Sequence, residues 1–286
     1  MESTYDKKQL IILPDFDFLI MNFTDTHTHL YSEQFNEDRS YMVQRAIQKG
    51  IGNMLLPNVD LTTVDEMLQL CSAFPKNVFP MMGLHPCNIG DDWQNTMQII
   101  EQHLRYNSFI AVGEIGIDLF WDKTNFNDQR AAFTYQMMLA KELQLPVSIH
   151  SRNATLECIH IIEQNKLFTG GVFHCWGGTL EQAHKVIDMG FAIGIGGVVT
   201  FKNSGLPELL RDIDIKDMVL ETDAPYLAPV PYRGKRNESA YILEIAQKLA
   251  EIKMLPLKIV GEITTANAER IFKMQEYIEK KNQNYK

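Results

Sequence analysis

The sequence lacks several features that would assign its class at once. Only four of its 286 residues are cysteine, none in a Cys-x-x-Cys arrangement, so no disulfide framework is expected. No apolar run is long enough to cross a lipid bilayer. An excess of positive charge is also absent, since the net charge is −9. We therefore expect a cytoplasmic protein that uses neither a membrane nor a strongly basic surface.

The chain does contain enough hydrophobic residues, 45% of the total, for two medium domains or one large barrel. Residues 1–20 lack a basic start, and Pro14 and Asp15 interrupt their apolar patches, so they do not resemble a secretion signal. We expect them to be an N-terminal extension or arm. Residues 21–276 should then form one domain, and residues 277–286 a polar C-terminal tail.

Apolar segments of strand length recur eight times, with helical periodicity between them. They are Met21–Phe23, Ile51–Leu56, Val78–Met82, Ile110–Val112, Pro146–Ile149, Gly171–Phe173, Phe191–Ile195 and Met218–Leu220. Helices are predicted over Asn127–Leu143, Glu238–Glu251 and Leu257–Met274. Eight strand-and-helix units favour an α/β fold of the single (β/α)8 TIM-type barrel kind over a doubly wound sheet, which more often has five or six strands.

The segment Asp25-Thr-His-Thr-His29 is typical of a metal site. In an extended strand, side chains two residues apart point to the same face, so His27 and His29 can converge on one cation. Asp25 should share that face. The triplet by itself is weak, because two such residues also occur in ordinary polar loops.

Further residues of ligand type follow the other predicted strands, at the end of the barrel where this architecture builds its active sites. The set comprises His27, His29, Glu114, His150, His174 and Asp223. A single histidine at a strand end is more often a hydrogen-bonded rim residue, but ligand types at five strand ends rarely coincide by accident. Four imidazoles and two carboxylates exceed the needs of one tetrahedral site, so two divalent ions bridged by Glu114 and a hydroxide are predicted.

Six motifs, in this order, resemble the TatD-related metal-dependent deoxyribonucleases of the amidohydrolase-like barrel superfamily. They are Asp25-Thr-His-Thr-His-Leu30, Gly83-Leu-His-Pro86, Gly113-Glu-Ile-Gly-Ile-Asp118, His150-Ser-Arg-Asn-Ala154, His174-Cys-Trp-Gly-Gly178 and Glu221-Thr-Asp-Ala-Pro-Tyr-Leu-Ala-Pro229. The resemblance runs from about Thr24 to Phe272. Trp176-Gly177 departs from it, since the family more commonly has Phe-Ser there, and so does the N-terminal extension.

The resemblance implies a 3′-end-directed nuclease, or general phosphodiesterase, that uses a metal pair of Mg, Mn or Zn. Asp223 would bind one ion and accept the proton of the attacking water. Together with Glu114 and His85 it forms the predicted catalytic set. DNA, single-stranded or at its 3′ ends, is the expected partner, with no obligatory protein partner.

Five residues are predicted to contact the substrate. His85, in the Gly-Leu-His-Pro turn, should contact a phosphate or leaving oxygen instead of a metal. Arg152 lies two residues beyond His150 and could grip a phosphate, although a rim salt bridge is an equal alternative. Arg233, Lys235 and Arg236 form a basic loop that could neutralise a nucleic-acid backbone, or could simply be solvated.

Two other functions remain open from the residues. An amidohydrolase of a small amide, lactone or D-aminoacyl ester would use similar ligands, but many such enzymes bridge their metals with a carbamylated lysine, and Glu114 stands at that position here. A metal-binding scaffold without turnover is the other alternative. The complete ligand set, including Asp223, argues against it.

Overall fold

The computed structural model describes residues 22–121 and 123–284. The predicted extension, residues 1–20, and Met21 lie outside these ranges. Within them, eight parallel strands form one sheet whose spatial order follows the chain. The strands are β1 (Phe23–Asp25), β2 (Ile51–Leu56), β3 (Val78–Met82), β4 (Ala111–Gly116), β5 (Val147–His150), β6 (Gly171–Phe173), β7 (Phe191–Ile195) and β8 (Met218–Leu220).

Hydrogen bonds from Thr26 join the two ends of this sheet. Its backbone N–H and its hydroxyl both donate to the carbonyl oxygen of Leu220, each at 3.0 Å. The chain just after β1 is thereby linked to the end of β8. Parallel strands in sequence order with intervening helices form a (β/α)8 barrel, which confirms the predicted fold.

Helices alternate with the strands and surround the barrel. They are α1 (Arg39–Gln48), α2 (Val64–Ala73), α3 (Trp93–Tyr106), α4 (Phe126–Leu143), α5 (Thr155–Asn165), α6 (Leu180–Asp188), α7 (Leu206–Arg211), α8 (Ile242–Lys253), α9 (Leu257–Ile271) and α10 (Met274–Asn284). The α8 helix starts four residues later than predicted because Ser239–Tyr241 form a 3-10 turn. In the described part of the chain, no helix is both long and apolar enough to span a bilayer.

Two strands extend further toward the polar motifs than the apolar pattern predicts. Strand β1 ends at Asp25, two residues beyond the predicted end, and β4 continues past Val112 to Gly116. The reason is that polar residues of these segments, including Glu114, are themselves buried in the barrel. A strand predicted from consecutive apolar residues ends where the first polar residue occurs, so the predicted strands are too short.

The end of the barrel at the strand N-termini is closed by apolar residues. Phe79 of β3 packs edge-on against Tyr277 of α10, with 6.0 Å between ring centroids. Phe272 joins the same buried cluster. Helix α10 therefore includes residues from the stretch 277–286 that the sequence assigns to a polar tail. With this end filled, the functional residues lie at the opposite end, where the strands finish.

Candidate metal centre

The structure brings the six predicted ligands together at the C-terminal ends of the strands. His27 and His29 lie two and four residues beyond the end of β1, Glu114 lies within β4, and His150 is the last residue of β5. His174 and Asp223 follow β6 and β8. Three overlapping groups have their ligand atoms within 4.8 Å of one another: His27, His29 and Glu114; His27, His174 and Asp223; and His85, Glu114 and His150. Imidazole and carboxylate donors this close fit divalent cations.

Glu114 lies at the centre and presents its two oxygens to different imidazoles. Its Oε1 is 2.9 Å from His150 Nδ1 and 3.0 Å from His174 Nε2. Its Oε2 is 3.2 Å from His27 Nε2 and 3.6 Å from His29 Nε2. The two oxygens of Glu114 therefore face different pairs of imidazoles.

Strand β4 reaches this arrangement by departing from regular alternation. Ala111 faces the barrel interior, and Val112 packs in the outer core. Strict alternation would place Glu114 outside with Val112. The β4–β5 pairing shifts register between Val112 and Ile115, and it is Ile115 that packs in the outer core. Glu114 is thereby inside the barrel.

Both carboxylates of the centre are held ionised by their surroundings. Burial acts to raise the pKa of Glu114, but the electrostatic effects of the surrounding imidazoles, led by His85 and His27, outweigh burial and hold the pKa well below its usual range. Burial also opposes ionisation of Asp223, where the hydrogen bond with His29 leads the effects that lower the pKa. Ionised carboxylates are the form that binds a cation.

Hydrogen bonds behind the ligands orient three of the imidazoles. His29 Nδ1 lies 2.9 Å from the Tyr31 hydroxyl, which donates to the Pro57 carbonyl oxygen at 2.6 Å. Because that hydroxyl gives its hydrogen to Pro57, it accepts from His29 Nδ1–H. The Nε2 lone pair of His29 then faces the site, as a metal ligand requires. His27 Nδ1 is 3.0 Å from the Ser148 hydroxyl.

Asp118 performs the same task for His150. Its Oδ2 lies 2.8 Å from His150 Nε2, which leaves Nδ1 directed at Glu114. Asp118 is buried, and its Oδ1 accepts from the backbone N–H groups of Phe120 and Trp121 at 2.8 and 2.9 Å. Sequence reasoning missed Tyr31, Ser148 and Asp118 as supporting residues. Only Asp118 left a sequence signal, because it ends the quoted motif Gly113-Glu-Ile-Gly-Ile-Asp118.

His85 differs from His29 and His150 in that its protonated nitrogen faces the centre. Its Nδ1 accepts a hydrogen bond from the Cys87 backbone N–H at 3.0 Å, so Nδ1 carries no proton. In the neutral ring the proton must then be on Nε2, which lies 3.4 Å from Glu114 Oε1. An Nε2–H group can donate to an oxygen but cannot bind a cation. This arrangement agrees with a substrate role for His85.

The Asp25 side chain is hydrogen-bonded to the segment that follows β8. Its carboxylate accepts from the Thr222 backbone N–H at 2.9 Å and from the Thr222 hydroxyl at 2.6 Å. Burial raises the pKa of Asp25 to about 7. Asp25, which was expected to share a face with His27 and His29, thus holds Thr222, the neighbour of Asp223, in position. Asp25 is in none of the three ligand groups.

The predicted cationic residues have different environments. The Arg152 guanidinium carbon lies 3.8 Å from the ring centroid of Phe120, and that of Arg233 lies 3.9 Å from the centroid of Phe201. Within residues 22–121 and 123–284, no carboxylate lies within ion-pair distance of Arg152. The described residues therefore do not support the alternative of a rim salt bridge. Lys235 is exposed.

Arg236, by contrast, is bound to the protein itself. Its Nη1 and Nη2 donate to the two carboxylate oxygens of Asp38, each at 2.7 Å, and Nη1 also donates to the Gln34 carbonyl oxygen at 2.8 Å. This bidentate pair fastens the loop after β8 to the segment before α1. The interaction explains why a residue in a basic loop is only partly exposed, and its predicted substrate contact stays a prediction.

Comparison with known proteins agrees with this site. The family model described as "TatD related DNase" matches residues 24–273. The Bacillus subtilis protein named uncharacterized metal-dependent hydrolase YabD is 34% identical over 252 residues, covering 87% of this chain and 98% of that protein. An Edwardsiella piscicida protein named 3′-5′ ssDNA/RNA exonuclease TatD is 31% identical over 257 residues, covering 87% of this chain and 99% of that protein.

A solved structure is similar over the same extent. It is the crystal structure of the Escherichia coli K12 TatD homolog YJJV, which superposes with a TM-score of 0.82 at 29% sequence identity. The alignment covers 88% of this chain and 98% of that one. The family match over residues 24–273 includes every predicted ligand.

Proposed function

The chain belongs to the TatD-related DNase family and is a metal-dependent hydrolase, and from this premise we propose that it cleaves phosphodiester bonds in single-stranded DNA, from the 3′ end, with two divalent ions. The Edwardsiella piscicida relative, whose name specifies a 3′-5′ exonuclease of single-stranded DNA and RNA, supports the polarity and the substrate class.

The position of Glu114 carries the proposal. Its Oε2 faces His27 and His29, with Asp223 Oδ1 3.4 Å from His29 Nε2, and these four residues would hold one ion. Its Oε1 faces the second set, His150 and His174, which would hold the other. A glutamate at this point of β4 also favours the nuclease over small-amide hydrolases that use a carbamylated lysine.

The residues around the ligands have separate tasks. Bound divalent ions supply Lewis-acid polarisation of the phosphoryl group and a nucleophilic hydroxide near neutral pH. Asp223 accepts the proton of the attacking water. Its carboxylate is ionised, one of its oxygens lies beside His29, and its side chain is only partly buried, so that water can reach it. His85 donates its Nε2–H to a phosphate or leaving oxygen.

Substrate phosphates would be bound by cations next to the centre, because the net charge of −9 provides no general attraction for DNA. Arg152 is two residues from His150, and Arg233 and Lys235 lie in the loop that follows β8. We place the protein in the cytoplasm, in keeping with four free cysteine thiols.

The test is hydrolysis of a 5′-labelled single-stranded DNA oligomer by metal-stripped protein resupplied with Mg, Mn or Zn. We expect a ladder that shortens from the 3′ end and depends on the metal. Asp223→Asn should abolish it. Asp188→Asn, a change of the same kind at an exposed position at the end of α6, should leave it intact.

Two results would contradict the proposal. Cleavage within the oligomer, without progressive shortening, would show an endonuclease. No cleavage with any metal, by protein shown to bind two ions, would favour the amidohydrolase alternative, which small amides, lactones and D-aminoacyl esters would then test.

A further inference from the structure

Two aromatic side chains lie exposed beside the metal centre, in the loop after β4. Phe120 is 49% exposed and Trp121 is 69% exposed. Their rings meet edge to face, with 4.9 Å between centroids. The guanidinium carbon of Arg152 lies 3.8 Å from the Phe120 centroid and 5.4 Å from that of Trp121. We call these three side chains the aromatic platform.

The backbone of the aromatic platform is linked to the candidate ligands by hydrogen bonds. Asp118 Oδ1 holds the backbone N–H groups of Phe120 and Trp121, while its Oδ2 contacts His150 Nε2. A second link joins the two loops, since the Leu119 N–H donates to the Arg152 carbonyl oxygen at 3.0 Å. One buried carboxylate therefore positions both the platform and a metal ligand.

The position of Arg152 in the chain places the platform next to the metal centre. Arg152 is two residues beyond His150, and two residues span at most about 7 Å. A group bound on the platform would accordingly adjoin a phosphate held at the metal centre.

The chemistry of the platform selects one kind of occupant. Adjacent exposed aromatic rings on a soluble protein usually mark a binding surface. Aromatic faces and stacked guanidinium groups bind nucleobases of every type through their π faces. Bases in a duplex are already stacked on their neighbours, so only an unpaired base can occupy such a surface.

We propose that the aromatic platform is the subsite on which an unpaired nucleobase stacks next to the scissile phosphate. This inference rests on the proposed nuclease function and specifies that the protein binds a nucleobase of the substrate. It also gives Arg152 two compatible tasks. A guanidinium stacked by its face keeps its N–H donors at its edge, where they can bind a phosphate.

The experiment compares platform variants on substrates with and without a base. Holoenzyme, loaded with the ion that supports cleavage, is given a single-stranded oligomer and two versions with an abasic tetrahydrofuran residue, at the 3′-terminal or at the penultimate position. Phe120→Ala/Trp121→Ala is the test variant. Trp121→Leu, which keeps bulk without an aromatic face, is the second. Phe168→Ala is the matched control, since Phe168 is 52% exposed just before β6, at the opposite end of the barrel.

For the wild type and Phe168→Ala, we expect one of the two abasic changes to lower kcat/KM by about tenfold. The double variant should lose about the same factor on the intact oligomer and should be indifferent to removal of that base. Trp121→Leu should show part of both effects. Metal content should remain at the wild-type value in all variants.

The stacking role would be overturned if the double variant lost the same factor in kcat/KM, relative to the wild type, on the intact and on both abasic substrates. The effect of the aromatic rings would then not depend on the base. A wild type that cleaves the intact oligomer but ignores both abasic changes would overturn it as well. A wild type that cleaves no oligomer would overturn this inference together with the proposed function, and the intact oligomer alone distinguishes that case.

Discussion

Glu114 Oε2 and His27 Nε2 lie 3.2 Å apart at the mouth of the barrel, although 87 residues separate them in the chain. Both side chains are buried, so water cannot solvate the carboxylate. An ionised carboxylate in such a place requires positive partners. The charge of Glu114 therefore depends on the imidazoles around it.

Removing that charge should disable the centre. Glu114→Gln preserves the shape of the side chain but removes its ability to bridge cations, so we expect fewer ions per chain and at least about 100-fold less hydrolysis. Elemental analysis and the oligomer assay measure the two effects. Glu269→Gln, at an exposed position of α9, is the control. Two ions at full occupancy in Glu114→Gln would remove the bridging role.

Tyr31→Phe should weaken the metal centre without touching a ligand. The variant lacks the hydroxyl between His29 Nδ1 and the Pro57 carbonyl oxygen. We expect about 10- to 100-fold lower metal affinity, and a free energy of unfolding lower by about 1–3 kcal/mol because two buried polar groups lose their partner.

Competition with a chelator measures the affinity of Tyr31→Phe, and urea titration of the metal-free protein measures its stability. Tyr41→Phe serves as the control, because Tyr41 is 73% exposed. A loss of stability at unchanged metal affinity would show that the hydroxyl supports only the fold.

Asp118→Asn tests the orientation of His150. The amide oxygen can still accept from the N–H groups of Phe120 and Trp121, but no ionised oxygen remains to accept from His150 Nε2–H. We expect about 10- to 100-fold lower metal affinity, again measured by chelator competition. Asp188→Asn is the control. An unchanged affinity would mean that Glu114 alone orients His150.

The Arg236–Asp38 pair predicts a pH-dependent contribution to stability. The hydrogen bonds from Arg236 lower the pKa of Asp38 below its ordinary value of 3.8. The unfolded chain then binds this proton more readily, so the contribution is present above about pH 4 and is lost as pH falls through the lowered pKa. Because both side chains are about one third exposed, we expect at most about 1 kcal/mol.

Urea unfolding of Arg236→Met between pH 7 and pH 3 checks this prediction. Its deficit relative to the wild type should shrink below pH 4. The control is Lys235→Met, which should leave stability unchanged at every pH and reduce the salt dependence of DNA binding by about one charge. An Arg236→Met variant of normal stability, with the DNA-binding defect expected of Lys235→Met, would instead establish the predicted substrate contact.

The sequence was sufficient for the architecture because that information is local. A short apolar segment predicts a buried strand, and a segment with helical periodicity predicts a helix with one buried face. The recurrence of eight such pairs predicts the barrel. The candidate ligands could also be recognised, since His27, His150 and Asp223 lie within four residues of apolar segments, and every parallel strand carries its last residues to the same end.

Only the tertiary structure decided how these residues support one another. Nothing near Asp118 indicates that it holds His150 and Phe120 at once, and nothing near Arg236 indicates its partner Asp38, which lies 198 residues away. In β4, a register shift moves Glu114 from the outer face to the inner one. Such relationships depend on the stagger of strands in a closed barrel, which local hydrophobic periodicity does not encode.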